Sequence, residues 1–405
     1  MAYNHKPPLL AVGTFINGYS FTRVLEALLQ QLAAYYTIHW LGLGYRGEKK
    51  EMSWGTLYPS NLKGGDVFGA YEAASMAKEL QAGNILLLTD IYLLRHYARA
   101  WTPLKQEGIR LVAYTPLEGP LTNVQLFNDI TFLDELVLYH TGAVTDMKNA
   151  IHEWRQQDVN TNILLPEISY RYHGTDTIKF RPSASSAEQQ QLKQELFAVP
   201  DAANAVFVLN ANRFRDRKDL GSTITGFARA FPNFTKPVYL CLHTPGLDEY
   251  RQAALQTLIQ QSGCADSLLL NPLGNNYIPD EQLAKLYQAC DIGVNTSLGE
   301  GWGMISFEHA ACGAAQVVPD NSACKELWTA KGIVIPCPHT VHLDGSPFLL
   351  HGVDTDVLAE KLVQLVNDEA YLQTASEQCF QYVQQEVFDW KKIGDSWQTL
   401  LNRNS

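Results

Sequence analysis

The chain has 405 residues, 46% hydrophobic and 18% charged, with a formal net charge of −11. That length exceeds one ordinary core and suits two α/β lobes of ~170 to 220 residues each, and the composition leaves no stretch polar or repetitive enough for a disordered tail. The acidic balance excludes a nucleic-acid or anionic-membrane partner from the first rank, because backbone phosphates are held by surplus lysine and arginine, so any bound phosphate must be captured locally.

The opening residues lack a basic segment followed by an apolar one, and no run of ~18 apolar residues occurs, so a cytoplasmic protein without a transmembrane segment is expected. Short apolar runs then alternate with helical patterns, the signature of parallel sheets covered by helices. Residues 9–15 read as a first strand and 21–32 as its helix; 37–43, 84–90, 109–115 and 135–141 read as further buried strands. The segment 165–200 changes character, with a polar helical stretch that places a lobe boundary near residue 170. The strand pattern restarts at 205–212 and continues at 236–243, 266–273, 291–297 and 314–320, which gives a second lobe. Two helices fill 355–385, and 388–401 is amphipathic, with Trp390, Ile393, Trp397 and Leu400 at helical spacing. All seven cysteines lie beyond residue 240, are odd in number and form no C-x-x-C pair, so they read as reduced packing residues rather than a zinc or redox centre.

Two segments of the second lobe carry candidate chemistry. In GEGWGMISFEHAACGAAQVV (299–318), Gly299, Gly301 and Gly303 let backbone approach a ligand, and the amides of Met304 and Ile305 open a helix, an anion site suited to diphosphate. Glu300 sits in the strand-end loop and Glu308 about two turns later, so the pair can bracket an elongated ligand, each accepting hydroxyl hydrogen bonds. In FVLNANRFRDRKDLGSTI (207–224), Arg213, Arg215, Arg217 and Lys218 crowd one strand-end loop, a local anion clamp in an acidic protein.

In the first lobe, GTFINGYSFTRV (13–24) places Gly18 and Ser20 between the first strand and its helix, while Tyr19 stands where a P-loop needs lysine. AYTPLEGP (113–120) follows another strand, so Tyr114 and Glu118 are expected to face one cleft, Glu118 orienting or deprotonating an acceptor hydroxyl. GLGYRG (42–47) fits G-x-G-x-x-G, but EKKEM follows instead of an apolar helix start, so a dinucleotide site is not assigned there. His140 reads as structural. Tyr19, Phe21, Tyr92 and Tyr114 are candidates for stacking on a sugar, and the loop 273–279 for choosing a base.

The C-terminal half resembles glycosyltransferase family 4 and its retaining GT-B relatives. Glu300 through Glu308 matches that family's E-x7-E motif, and Arg213 with Lys218 its R-x4-K pair. HGTDTIKFRP (173–182) is similar to the segment that closes its first lobe, with His173 in place of the usual Asn, and FDW (388–390) to its terminal crossover helix. The resemblance implies a GT-B architecture: two doubly wound Rossmann-like lobes facing across a cleft, at 1–170 (acceptor side) and 171–385 (donor side), with a helix at 386–405 crossing back to the first. It implies a retaining hexosyltransferase whose donor is a UDP-, GDP- or ADP-type sugar, with no metal or other cofactor and an acceptor of unknown kind. Arg213 and Lys218 would hold the diphosphate, Glu300 the sugar and Glu308 the ribose, while Gly301, Trp302, Gly303, Met304 and Ile305 would supply backbone amides; Gly18 and Ser20 would approach the phosphates from the first lobe. A GT-B-fold sugar-nucleotide epimerase and a non-catalytic transferase-like binding subunit are the alternatives.

Overall fold

A computed structural model describes residues 6–60, 63–157 and 163–403, and the chain divides into two compact units, residues up to 174 together with 387 onward, and residues 175–386. The first unit opens with β1 (Pro8–Thr14), α1 (Ser20–Leu32), β2 (Thr37–Leu43), β3 (Lys50–Met52) and β4 (Gly55–Pro59). It continues with α2 (Ala70–Glu79), β5 (Asn84–Leu88), α3 (Arg95–Gln106), β6 (Arg110–Thr115), β7 (Glu135–Leu138), α4 (Thr141–Gln157) and β8 (Glu167–Tyr170). Its sheet runs β3-β4-β2-β1-β5-β6-β7-β8, parallel except for the β3–β4 pair. Helices cover both faces, so the central strands are apolar throughout rather than alternating: all of β6 is buried, as is the centre of β1. GLGYRG does not open a helix; β2 leads instead into the edge hairpin of β3 and β4, which the sequence pattern did not announce.

The second unit holds α5 (Ser186–Leu196), β9 (Val206–Asn210), α6 (Leu220–Ala230), β10 (Val238–Leu242), α7 (Glu249–Gln261), β11 (Leu268–Leu270), α8 (Asp280–Ala289) and β12 (Ile292–Val294). Then follow α9 (Met304–Ala311), β13 (Ala315–Pro319), α10 (Ser322–Trp328), β14 (Ile333–Ile335), a hairpin of β15 (His339–Val341) and β16 (Leu350–Gly352), α11 (Thr355–Asn367) and α12 (Glu369–Val383). The sheet β11-β10-β9-β12-β13-β14 is parallel throughout. Val208, Phe227, Leu240, Ile292, Val317, Leu358 and Leu362 share one buried core. Strand order reverses between β9 and β12, and ligands of open α/β sheets bind at such a point, outside the carboxyl ends of the strands. Strands β11 and β12 are shorter than the apolar runs predict. Asn271, at φ +46°, leaves the sheet after β11, and beyond β12 the Thr296 hydroxyl turns to the Asp219 carbonyl while the Ser297 amide and hydroxyl both turn to Asn295 Oδ1.

The last helix, α13 (Trp390–Leu401), belongs to the first unit and packs on α1. Trp397 is fully buried, its indole edge-on to Tyr114 at 4.8 Å. Arg110, itself buried against Glu135, donates to the Leu400 carbonyl near the helix C-terminus, so a charge is placed where the helix dipole favours it. At Gly174 a Cβ would lie 2.5 Å from the Trp390 indole, so only glycine lets that aromatic seat.

Candidate active site

Two strand-end loops meet at the β9/β12 reversal. The first, between β9 and α6, carries the basic cluster; the second, between β12 and α9, carries Glu300. They are braced by a buried polar chain. Asn210 Nδ2 donates to Thr223 Oγ1 (2.8 Å), whose hydroxyl lies 2.7 Å from Thr296 Oγ1, and Thr296 Oγ1 donates to the Asp219 carbonyl (2.8 Å). Asn212 Nδ2 donates to Asn295 Oδ1 (3.2 Å), and Asn295 Nδ2 to Glu300 Oε1 (3.3 Å). A satisfied network of this kind fixes geometry, because each partner left unpaired in a dry interior costs more than the bond returns.

Glu300 is 5% exposed. Lys218 Nζ donates to its Oε1, Arg217 Nη1 lies 3.4 Å from its Oε2, and Ser297 Oγ lies 2.8 Å from Oε1. Its own amide donates to Ser322 Oγ (2.7 Å). Burial alone would push the carboxyl pKa up; the Lys218 ammonium, the Arg217 guanidinium and the hydrogen bonds from Lys218 and Ser297 outweigh it and bring it down to about 2. The neighbouring Cys324 thiol is pushed well above its usual value, by burial first and by the Glu300 charge second. Thus Glu300 is an ionised, fixed acceptor of hydrogen bonds.

Downstream of Glu300 the chain turns through Gly303, at φ +89°, into α9, whose first residues are Met304 and Ile305. Amides in a first helical turn have no intrahelical acceptor and carry the positive end of the dipole. Glu308, 4% exposed, sits on the same helix with the Tyr287 hydroxyl 3.4 Å from its Oε2. Beside it, His309 stacks on Tyr287, its pKa lowered to about 4 by burial, so it stays neutral. The structure thus gathers Lys218, Glu300 and the start of α9, with Glu308 along the same helix; Arg213 is half-buried on the β9–α6 loop, where the Phe214 amide donates to Thr244 Oγ1 (2.6 Å).

One expectation is corrected. Tyr114 does not present itself to an acceptor: it lies inside β6 at 1% exposure, donates to the Arg171 carbonyl (2.8 Å) and sits 2.7 Å from His173 Nδ1, so it is a core residue seating α13. Trp302 contributes no side chain to a ligand, since its indole is 3% exposed and stacked on Phe307, which leaves only its backbone. In the first unit Glu118 is half-buried four residues beyond Tyr114. Gly18 adopts φ +76° just before the α1 N-terminus, where Ser20 is exposed, and Thr22 pins that loop by accepting from the Ile16 amide (3.0 Å) and donating to the Thr14 carbonyl (2.9 Å). His140, 2% exposed, accepts the Ala143 amide at the start of α4. In the loop 273–279, Asn275 is tied to Leu247 through both amide and carbonyl (3.0 and 2.8 Å).

Sequence reasoning missed the Glu300 retainers Arg217, Ser297, Asn295 and Ser322. The polar triplet Asn295-Thr296-Ser297 directly after an apolar strand was the available signal, because such residues at a buried strand end must find partners.

Residues 221–368 match the family described as glycosyl transferases group 1. That span contains Glu300 and Glu308, and Arg213 and Lys218 lie just before it. The chain is 24% identical over 198 residues to the D-inositol 3-phosphate glycosyltransferase of Corynebacterium urealyticum, an alignment covering 48% of this chain and only 42% of that relative. Among solved structures it is similar to sucrose-phosphate synthase from Thermosynechococcus elongatus (TM-score 0.72, 14% identity, 97% of this chain and 98% of that one). It is likewise similar to Anabaena HepE in complex with UDP and glucose (TM-score 0.70, 14% identity, 98% and 99%) and to the trehalose-6-phosphate synthase OtsA (TM-score 0.68, 14% identity, 98% and 99%). The chain has the GT-B fold of glycosyltransferases, and residues 221–368 of its C-terminal unit match the glycosyl transferases group 1 family.

Proposed function

We propose that the protein is a hexosyltransferase that moves a sugar from a nucleotide-diphosphate sugar to an acceptor hydroxyl with retention of configuration and without a metal. The observation that carries this reading is the buried, ionised Glu300 held between two cations at the strand-order reversal, one short loop before the N-terminus of α9. In this reading Glu300 binds the donor sugar, Glu308 the ribose diol, and Arg213 and Lys218 the diphosphate together with backbone from Gly301 to Ile305. Those groups face the charge that grows on the leaving diphosphate, which is where fixed dipoles and cations lower a barrier most.

The bond from the anomeric carbon to the phosphate oxygen breaks, the acceptor oxygen forms its bond on the same face, and the acceptor proton passes to the departing phosphate. Glu118 in the first unit is assigned to orienting or deprotonating the acceptor hydroxyl, on its place in the loop after a strand, and Gly18 and Ser20 to the donor phosphates, on the family resemblance. UDP is the first donor nucleotide to try, since the solved HepE complexes hold UDP and UDP-glucose.

A thermal-shift panel of UDP, GDP, ADP and TDP tests the donor site, because a ligand selective for the native state raises its melting temperature. Calorimetry with Arg213→Ala/Lys218→Ala follows, and unchanged affinity there refutes the clamp. Full transfer activity in Glu300→Ala refutes the assignment of the sugar carboxylate. Product analysis with donor alone separates a transferase from an epimerase.

A further inference from the structure

We propose that Arg217 is a positioning residue that holds the Glu300 carboxylate as its counter-charge while Lys218 leaves Glu300 for the donor diphosphate. The inference rests on the donor-site reading above and goes beyond it, because the R-x4-K resemblance assigns roles to Arg213 and Lys218 and none to Arg217.

The geometry sets a problem and supplies its solution. Lys218 Nζ bonds Glu300, so the cation meant for the diphosphate is already committed. When a diphosphate takes that ammonium, a carboxylate whose side chain is only 6% exposed loses its principal counter-charge. A buried charge stripped of its partner is strongly unfavourable, and the group then takes up a proton or turns away. Either outcome would spoil a residue required to accept sugar hydroxyls in one orientation.

Arg217 is built to prevent this. Its carbonyl accepts the Leu298 amide (2.8 Å), its Nη1 donates to the Gly299 carbonyl, and the same nitrogen lies 3.4 Å from Glu300 Oε2. Backbone and side chain of one residue therefore clasp three consecutive residues of the opposite loop. A planar guanidinium engaged with a carbonyl and a carboxylate together cannot move without losing both, whereas Lys218 carries a point charge on a flexible stem and can swing alone. Among the described residues, the charged and titratable groups that act on Glu300 are Lys218 and Arg217 from the β9–α6 loop and the Cys324 thiol from α10, and burial keeps that thiol neutral, so when Lys218 departs Arg217 stays as a counter-charge.

The test is calorimetric. The tightest binder among UDP, GDP, ADP and TDP is titrated at pH 6 into the full chain in buffers of differing ionisation enthalpy, which yields the protons taken up on binding. Wild type is expected to show only the proton release that the nucleotide's own terminal phosphate gives on meeting the site's cations near pH 6, and the uptake of each variant is counted relative to that baseline. Arg217→Gln is expected to bind about tenfold more weakly and to take up close to one proton, as Glu300 protonates when Lys218 leaves; Arg217→Lys, which restores the charge without the fork, is expected to lower the uptake again. In turnover, Arg217→Gln should lose kcat more than it raises KM for the donor, with the acid limb of its pH profile moved to higher pH. An Arg217→Gln protein that melts like wild type and binds without proton uptake overturns the proposal, whether its affinity is unchanged or reduced. If wild type binds none of the four nucleotides, the donor-site reading itself has failed.

Discussion

Replacing Glu300 by Gln tests the electrostatics of the site directly, because the substitution keeps the size, removes the charge and exchanges one acceptor oxygen for a donor amide facing the donors Lys218, Arg217 and Ser297. The carboxyl pKa falls from the ordinary 4.5 to about 2 in the folded protein. At ~1.4 kcal/mol per tenfold change in affinity for the proton, the ionised form contributes about 3 kcal/mol to the folded state at neutral pH. The group is buried, so solvent screening reduces this little. A depressed folded pKa gives stability that is present above the unfolded value and is lost as pH falls through the folded one. Glu300→Gln should therefore be less stable than wild type by about 3 kcal/mol at pH 7, and the gap should close between pH 4.5 and 2, where wild type gives up the same contribution. Urea unfolding at pH 7, 4.5 and 3, followed by hydrogen exchange of the β13 and α9 amides, reports on the unit that contains the site. His243 and His309 titrate equally in both proteins and cancel in the difference. A gap that stays constant from pH 7 to 3, or one below ~0.5 kcal/mol at pH 7, would refute the account of Glu300 as an ion-paired anchor.

Glu308→Ala should weaken nucleoside diphosphate binding roughly 10- to 100-fold, the loss of charge-assisted hydrogen bonds worth ~1.5 to 3 kcal/mol, with a smaller change in kcat at saturating donor; calorimetry and steady-state kinetics check both. Gly303→Ala meets nothing nearer than 3.6 Å, so its cost is the left-handed backbone alone, ~1 to 2 kcal/mol by urea unfolding; a neutral substitution would deny the φ of +89°. Trp397→Ala should destabilise the first unit by ~3 to 5 kcal/mol, since a fully buried indole leaves a cavity against Tyr114, and exchange of the β6 and α1 amides would record it. Burial lowers the pKa of His243 and of His309 to about 4 each, so the unfolded chain binds protons first; stability of the second unit should fall as pH drops below ~6.5, and His243→Asn should flatten that slope in unfolding measured from pH 7 to 5.

Much of the architecture was legible along the chain. Runs such as LLAVG and LVAYT are apolar on both faces because helices cover both sides of a parallel sheet, and that pattern needs no knowledge of neighbours. Glu300, Glu308 and the glycines between them were legible too, since a strand, a glycine loop and a helix start adjoin in sequence before they adjoin in space. The edge hairpin β3–β4 was not, because three- and five-residue strands at a sheet edge carry too little periodicity to stand out.

What only tertiary structure decided is who touches whom across sequence separations of tens of residues. Tyr114 read as a cleft residue because it ends an apolar run; its depth became visible only with Trp397, 283 positions later, packed over it. Nothing in the spacing of the basic cluster marks Arg217 as a partner of Glu300; that ion pair exists only because the loop folds against residues 298–300. The sequence by itself determined the fold class and the strand, loop and helix that carry Glu300 and Glu308, since those depend on local pattern. The partner of each charge was fixed by folding, because a buried ion pair forms only where two distant loops are brought to the same strand-order reversal.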